Sequence, residues 1–365
     1  MTDGQFRVID GDGHIRERDF EICQYLDEPY RSSPNTLNYP FFPTLDGFQR
    51  GAYSARFSDK RKEGIIDAHA WTRLADEVNL EYAVVYPTAG LGVGMIQDPE
   101  WAIAVCRGYN NWIDAQFRQV DSRLRGVALL PLQDVNAAVT ELRRAVLELG
   151  AVGAMLPANS ANMGVRNPLG HESFWPLYEE AARLSVPVAV HGAPSLGLGF
   201  DFNQSIPAAN VLEHPIAVMI QLTSMLYSGL YDVFPTLKVA YLEANTGWAP
   251  YMMDRLQGKA PKGITSPNDL MTSGRVVVSV EGADPSLPYA IERLGSEAII
   301  YATDYPHETV ETVKEELDEA LSRMDVGEDS RKRIYRDNAL DFYNWTAPSA
   351  SINHAELISS SSDGG

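Results

Sequence analysis

Eight short runs of β-branched and apolar residues recur along the chain, most of them separated by segments with helical periodicity, and this spacing limits the possible folds more than any other feature. The runs are FRVIDGDGH (6–14), EYAVVYP (81–87), RGVALLP (125–131), GAVGAMLP (150–157), VPVAVHG (186–192), KVAYLEA (238–244), RVVVSVEG (275–282) and AIIYATDYP (298–306). Runs that are apolar on both faces suit parallel strands covered on each side, not half-exposed antiparallel ones. Residues 99–121 and 134–149 carry the clearest helical pattern, and Asp134 opens the second as an N-cap. Eight strands with interposed helices specify an α/β chain folded as a (β/α)8 or TIM barrel. A length of 365 residues suits one such domain, expected over residues 1–346.

Two stretches interrupt the pattern. Residues 15–71 are rich in Pro, Tyr, Phe and charge, and read as an insertion after the first strand that caps the barrel mouth or makes a subunit contact. Residues 193–213 form a Gly/Ser/Asn-rich loop after the fifth run, of a length usual for a lid or binding loop. The tail, 347–365, is poor in bulky apolar side chains and is expected to be disordered. With 30 Lys and Arg against 49 Asp and Glu, the net charge of −19 argues against nucleic acid or an anionic membrane surface as partner. No apolar run is long enough to span a bilayer and the N-terminus lacks the features of a secretory leader, so a cytoplasmic location is expected. Cys23 and Cys106 are too few and too far apart for a disulfide framework or a cysteine-based metal site.

Residues at the C-terminal ends of barrel strands line the active site in this architecture. The first run ends in Asp12 and His14, which are two apart and so share one strand face. The fifth ends in His191, the sixth in Glu243, and the eighth in Asp304 with His307 three residues on. Four strands thus aim histidine or carboxylate at one mouth, a ligand set for zinc, manganese or iron. Bland readings stand beside these. The Asp/Gly text around Asp12 could be a turn, His191 a core histidine, and Asp304 a helix cap. Glu243 would be an expensive buried charge without a site role. His214, before Pro215, either caps the helical run that follows or joins the site; Glu17 joins it or faces solvent. His69, His171 and His354 read as surface residues.

The segments VIDGDGH, VAVHG, FPTLKVAYLEANTGWAPYMMDRL and YATDYPH resemble the amidohydrolase superfamily, in its amidohydrolase-related (amidohydrolase 2) branch, over roughly residues 6–343. The resemblance implies a metal-dependent TIM barrel of the hydrolase type with Asp12, His14, His191 and Asp304 as ligands. Three departures qualify it. The first pair is Asp-x-His where many members have His-x-His or Glu-x-His. Glu243 stands where decarboxylases of the branch carry a histidine used in acid–base work. The fourth run has no lysine to become the carbamylated bridge of binuclear hydrolases. If two metals bind, Asp12, Glu243 and Asp304 are the available bridges, with nitrogens from His14, His191, His214 and His307. The VAVHG, LExxxGW and TDYPH elements are also similar to a barrel of this superfamily that acts as a nonheme di-iron monooxygenase in platensimycin/platencin biosynthesis.

These readings give a leading expectation and an alternative. The first is oxidative: two irons held by Asp12, His14, His191, Glu243, Asp304 and His307 hydroxylate a C–H bond of an apolar natural-product acyl substrate with O2. Tyr39, Phe41, Phe42, Phe200 and Phe202 then line the pocket, or else pack the insertion onto the barrel. The alternative is a mono- or dinuclear hydrolase or non-oxidative decarboxylase that acts on a small carboxylate, with zinc or manganese and with Asp304 shuttling the proton. A metal-bound but catalytically idle barrel is the third. The aromatic content of 15–71 further predicts a homodimer or larger oligomer. Light scattering at micromolar concentration that returned the mass of a single chain would refute it.

Overall fold

The computed structural model describes residues 6–44, 65–158, 164–195, 197–200 and 206–345. Its strands are β1 (Val8–His14), β2 (Leu80–Tyr86), β3 (Leu124–Gly126), β4 (Ala128–Leu129), β5 (Ala154–Pro157), β6 (Val188–His191), β7 (Val239–Leu242), β8 (Val276–Glu281) and β9 (Ile299–Ala302). The pairings β1–β2–β3 and those from β4 through to β9 are all parallel. The ring closes where Asp304 N donates to Asp12 O (3.4 Å) and His14 N to Tyr305 O (2.6 Å). Helices of eight or more residues follow the staves in turn: α1 (Ala68–Glu77), α2 (Pro99–Ile113), α3 (Val135–Leu149), α4 (Trp175–Leu184), α5 (Ile206–Tyr227), α6 (Trp248–Gln257), α7 (Leu287–Leu294) and α8 (Val310–Ser322). The chain is a TIM barrel, and the eight runs are its staves.

The third run is two strands, not one. β3 pairs with β2 and β4 with β5, with the change at Val127. The Asn110 side chain on α2 explains the break, because its Oδ1 accepts from Leu129 N (2.9 Å) and its Nδ2 donates to Leu129 O (3.0 Å). A side-chain amide thus satisfies backbone groups of the stave. Local signals set the helices. Asp67, Asp98 and Asp134 accept amide hydrogen bonds at the starts of α1, α2 and α3, and Gly150 at φ +69° ends α3. No described helix is long and apolar enough to cross a membrane.

The described part of the insertion packs on the outside of α2. Phe41 and Phe42 are buried, Phe41 lies edge-on to Trp101 at 5.2 Å, and Trp101 Nε1 donates to Phe41 O (3.3 Å). Phe41 thus packs the insertion onto α2, and together Phe41, Phe42 and Trp101 line a cavity of about 310 Å³ on the outside of that helix. Tyr39 is 79% exposed, Phe200 is half-buried, and Phe202 lies outside the described residues, as does the tail.

The Asp-Gly-Asp-Gly-His text is strand throughout, not a turn. Its glycines answer to crowding. A Cβ on Gly13 would fall 2.3 Å from Trp71 Cη2 and 2.6 Å from Asp10 Oδ2. Trp71, on α1, is fully buried; its Nε1 donates to His14 O (3.0 Å) and its ring meets Tyr305 edge-on at 4.9 Å. Helix α1 is thereby fastened to the strand that carries Asp12 and His14. Gly13→Ala should destabilise the fold by about 1–3 kcal/mol through overpacking. A denaturant melt checks this; an unchanged midpoint would mean that Trp71 yields freely.

Candidate metal centre

Asp12 and His14 lie on β1, His191 ends β6, Glu243 follows β7, Glu281 ends β8, and Asp304 and His307 follow β9. Parallel staves thus deliver all of them to one mouth. His14 Nε2 and His191 Nε2 face each other at 3.1 Å. Each ring's Nδ1 lies against a carbonyl, Pro87 O at 3.0 Å and Gly192 O at 2.7 Å, so the proton sits on Nδ1 in both. Burial pushes both imidazoles toward the neutral form, His191 to about 4. Two lone pairs therefore point at each other across 3.1 Å. Asp12 Oδ1 lies 3.3 Å from His191 Nε2, and both Asp12 carboxylate oxygens are buried without a hydrogen-bond partner. Such a set is repulsive and poorly satisfied by itself. One divalent cation would satisfy every member, and these residues fit it.

A second group adjoins the first through His14. Asp304 Oδ1 is 3.8 Å from His14 Nε2 and 2.8 Å from His307 Nδ1, and the His307 ring lies tilted against His14 with centroids 4.5 Å apart. Asp12–His14–His191 and His14–Asp304–His307 are each close enough to hold a metal ion. His307 has protein partners on both nitrogens, because Nε2 meets Thr88 Oγ1 at 3.1 Å. Glu243 Oε2 is 3.6 Å from His14 Nε2 and 3.8 Å from His191 Nε2, so it borders both groups. Backbone strain sets the last two carboxylates, with Glu243 at φ +66° and Asp304 at φ +50°. Left-handed backbone at bulky residues persists where the surroundings enforce it.

The charges are unevenly distributed. Burial, only partly offset by the neighbouring His14 and His307, raises Asp12 to about 7. Burial and the Asp304 charge push Glu243 far up; burial and the Glu243 charge do the same to Glu281. Burial also works to raise Asp304, but the charge and hydrogen bond of His307 outweigh it and hold that carboxyl below its usual range.

Two residues depart from their sequence-based reading. Glu17 is half-buried, and its carboxylate accepts from Thr88 N (3.1 Å), Ala89 N (3.0 Å) and Gly90 N (2.8 Å). It belongs to neither ligand group; it fixes the loop whose Thr88 holds His307. His214 lies within α5 and does not cap it. Its Nδ1 is 3.8 Å from Glu243 Oε1, its Nε2 is buried and unpartnered, and burial lowers it to about 3. It borders Glu243 and belongs to neither triad. His69 and His171 are exposed, and His354 lies outside the described residues. Sequence reasoning missed Glu281, although it ends its run as Glu243 ends the one before. It also missed Asp10, which the irregular register between Asp10 and Gly13 takes off the face of Asp12 and His14 and whose carboxylate accepts from Thr303 and Asp12 N.

A protein-family model described as "Amidohydrolase" matches residues 65–345, and the chain belongs to that family. It is therefore an enzyme of the metal-dependent amidohydrolase superfamily. It is 29% identical over 336 residues to a gamma-resorcylate decarboxylase of Rhodococcus jostii (strain RHA1), which covers 87% of this chain and 97% of the relative. It is 24% identical to a 2-amino-3-carboxymuconate-6-semialdehyde decarboxylase of Dictyostelium discoideum over 73% of each. Among solved structures, a dihydroxybenzoic acid decarboxylase from Polaromonas with bound manganese and 2-nitroresorcinol matches with a TM-score of 0.70 at 22% identity, covering 93% of this chain and 97% of that one. These relatives are decarboxylases, so they do not support the expected likeness to a di-iron monooxygenase.

If Asp12 is a ligand, a cation must displace its proton below about pH 7. Manganese affinity should then fall about tenfold for each pH unit from 7 to 5, and Asp12→Asn should flatten the dependence. Manganese titration followed by electron paramagnetic resonance measures it; a pH-independent affinity in the wild type would remove Asp12 from the ligand set.

Proposed function

We propose that the chain is a divalent-metal-dependent, non-oxidative decarboxylase of a small hydroxylated carboxylate. The opposed lone pairs of His14 and His191 beside the unpartnered Asp12 carry the metal part of this reading. The decarboxylase relatives support the reaction class. Asp12, His14, His191 and Asp304 would hold the cation, which when bound supplies Lewis acidity toward the substrate's carboxylate and hydroxyl oxygens.

The rest of the chemistry belongs to this chain's own side chains. Glu243, kept protonated by burial and its acidic neighbours, stands at the border of the ligand groups. Its proton would pass to the substrate carbon that bears the carboxylate. The C–C bond then breaks, CO2 leaves, the bonding pair stays with the ring or enol system, and solvent reprotonates Glu243. The glutamate thus replaces the histidine that decarboxylases of the branch carry at this position. His307, fixed by Thr88, keeps Asp304 ionised and oriented.

A second reading, the oxidative one with two irons, draws support from the second triad, which shares His14 with the first. One experiment decides between them. Metal-free protein is loaded separately with Mn(II), Zn(II) or Fe(II), and CO2 release and O2 uptake are followed on a panel of hydroxylated benzoates. Decarboxylation predicts CO2 release under nitrogen, near one metal per chain, and a turnover loss of about 10²-fold or more in Glu243→Gln with metal content unchanged. Two irons per chain with strictly O2-dependent turnover would replace the reading. Self-association also remains a proposal, supported by the exposed Leu37 and Tyr39 of the insertion.

A further inference from the structure

We propose that Glu281 is a further oxygen ligand of the metal centre, extending it from β1 and β6 across to β8; this rests on the metal-dependent reading above. Glu281 is the last residue of β8 and pairs in register with Ala302 of β9, two residues before Asp304. On β9, Tyr301 packs outward against Tyr335, so the alternating Ala302 faces the barrel interior, and its register partner Glu281 shares that face. The strand halts there by construction. Gly282 turns at φ +50°, and a Cβ on it would fall 2.4 Å from Glu316 Oε2.

The backbone of Glu281 is tied down, because its N donates to Asn245 Oδ1 (2.9 Å), and Asn245 itself sits at φ +51° just beyond Glu243. Its side chain is not: Oε1 is buried and accepts no hydrogen bond. A carboxylate oxygen left unsatisfied in a polar mouth is expensive unless a cation or a proton meets it. Histidines are the ion-pair partners of Asp12, Glu243 and Asp304. Of the residues that flank Glu281 on the adjoining staves, Asp304 belongs to the second triad and Glu243 borders both.

The test is manganese binding to metal-free full-length protein, read by stoichiometry and by the electron paramagnetic resonance spectrum, for wild type, Glu281→Gln, Glu281→Asp and the control Glu316→Gln. The proposal expects Glu281→Gln to lose at least about tenfold in affinity or one ion per chain, with an altered spectrum. It expects Glu281→Asp to recover part of the loss and Glu316→Gln to match wild type, all with wild-type circular dichroism. Wild-type affinity and spectrum in Glu281→Gln would overturn the assignment while leaving the metal centre standing. Failure of the wild type to bind manganese, zinc or iron would overturn the centre and the assignment together. A Glu281→Gln variant that lost its fold would be replaced by Glu281→Asp, whose unchanged spectrum and affinity would overturn it equally.

Discussion

The Asp10 carboxylate joins the first strand of the barrel to the last. It accepts from Thr303 N (3.1 Å), Thr303 Oγ1 (2.6 Å) and Asp12 N (3.1 Å), all in a fully buried setting. Three donors on one buried carboxylate are a strong and directional join. Asp12 and His14 stand on one side of that seam, Asp304 and His307 on the other. Their approach depends on it, because β1 and β9 meet only where the ring closes. Trp71 holds the same strand from outside through the His14 carbonyl, and Tyr343 Oη holds it through Gly11 O (2.9 Å). The strand that carries two candidate ligands is thus pinned at three places.

What the seam brings together is electrostatically unfavourable without a cation. Carboxyls raised by burial and by one another sit beside imidazoles that burial holds neutral. In a low-dielectric mouth such groups oppose folding unless something positive meets them. That argument carries the metal reading independently of the family match, whose stretch begins after β1. The two lines of reasoning differ in kind and agree on metal chemistry.

Much of this was legible in the sequence, for identifiable reasons. Staves buried on both faces must be β-branched and apolar, so 186–192 or 275–282 announce themselves, and a charged residue that ends such a run is conspicuous. Asp134 caps α3 as read, because a cap and the amide that donates to it lie three residues apart. Glu17 and His214 resisted the same treatment because long-range partners decide their places. The amides that hold Glu17 lie 71 to 73 residues away, and no local pattern encodes that meeting. The split of the third stave was hidden likewise, since Asn110 on a neighbouring helix takes over hydrogen bonds that a strand would make. Glu281 was legible and overlooked: it ends its run as Glu243 does, yet glutamate before glycine reads as an ordinary turn.

The left-handed backbone at Glu243 and Asp304 bears on how this barrel can change. Each position holds a side chain where glycine would be relaxed, at a strain of order 1–3 kcal/mol. Drift toward a sturdier fold would therefore press on these two places first, and would erase the carboxylates on which the mouth depends. Persistence of acid side chains there in a lineage would record selection on chemistry working against selection on stability. A descendant that had relaxed both positions would keep the barrel and lose its trade.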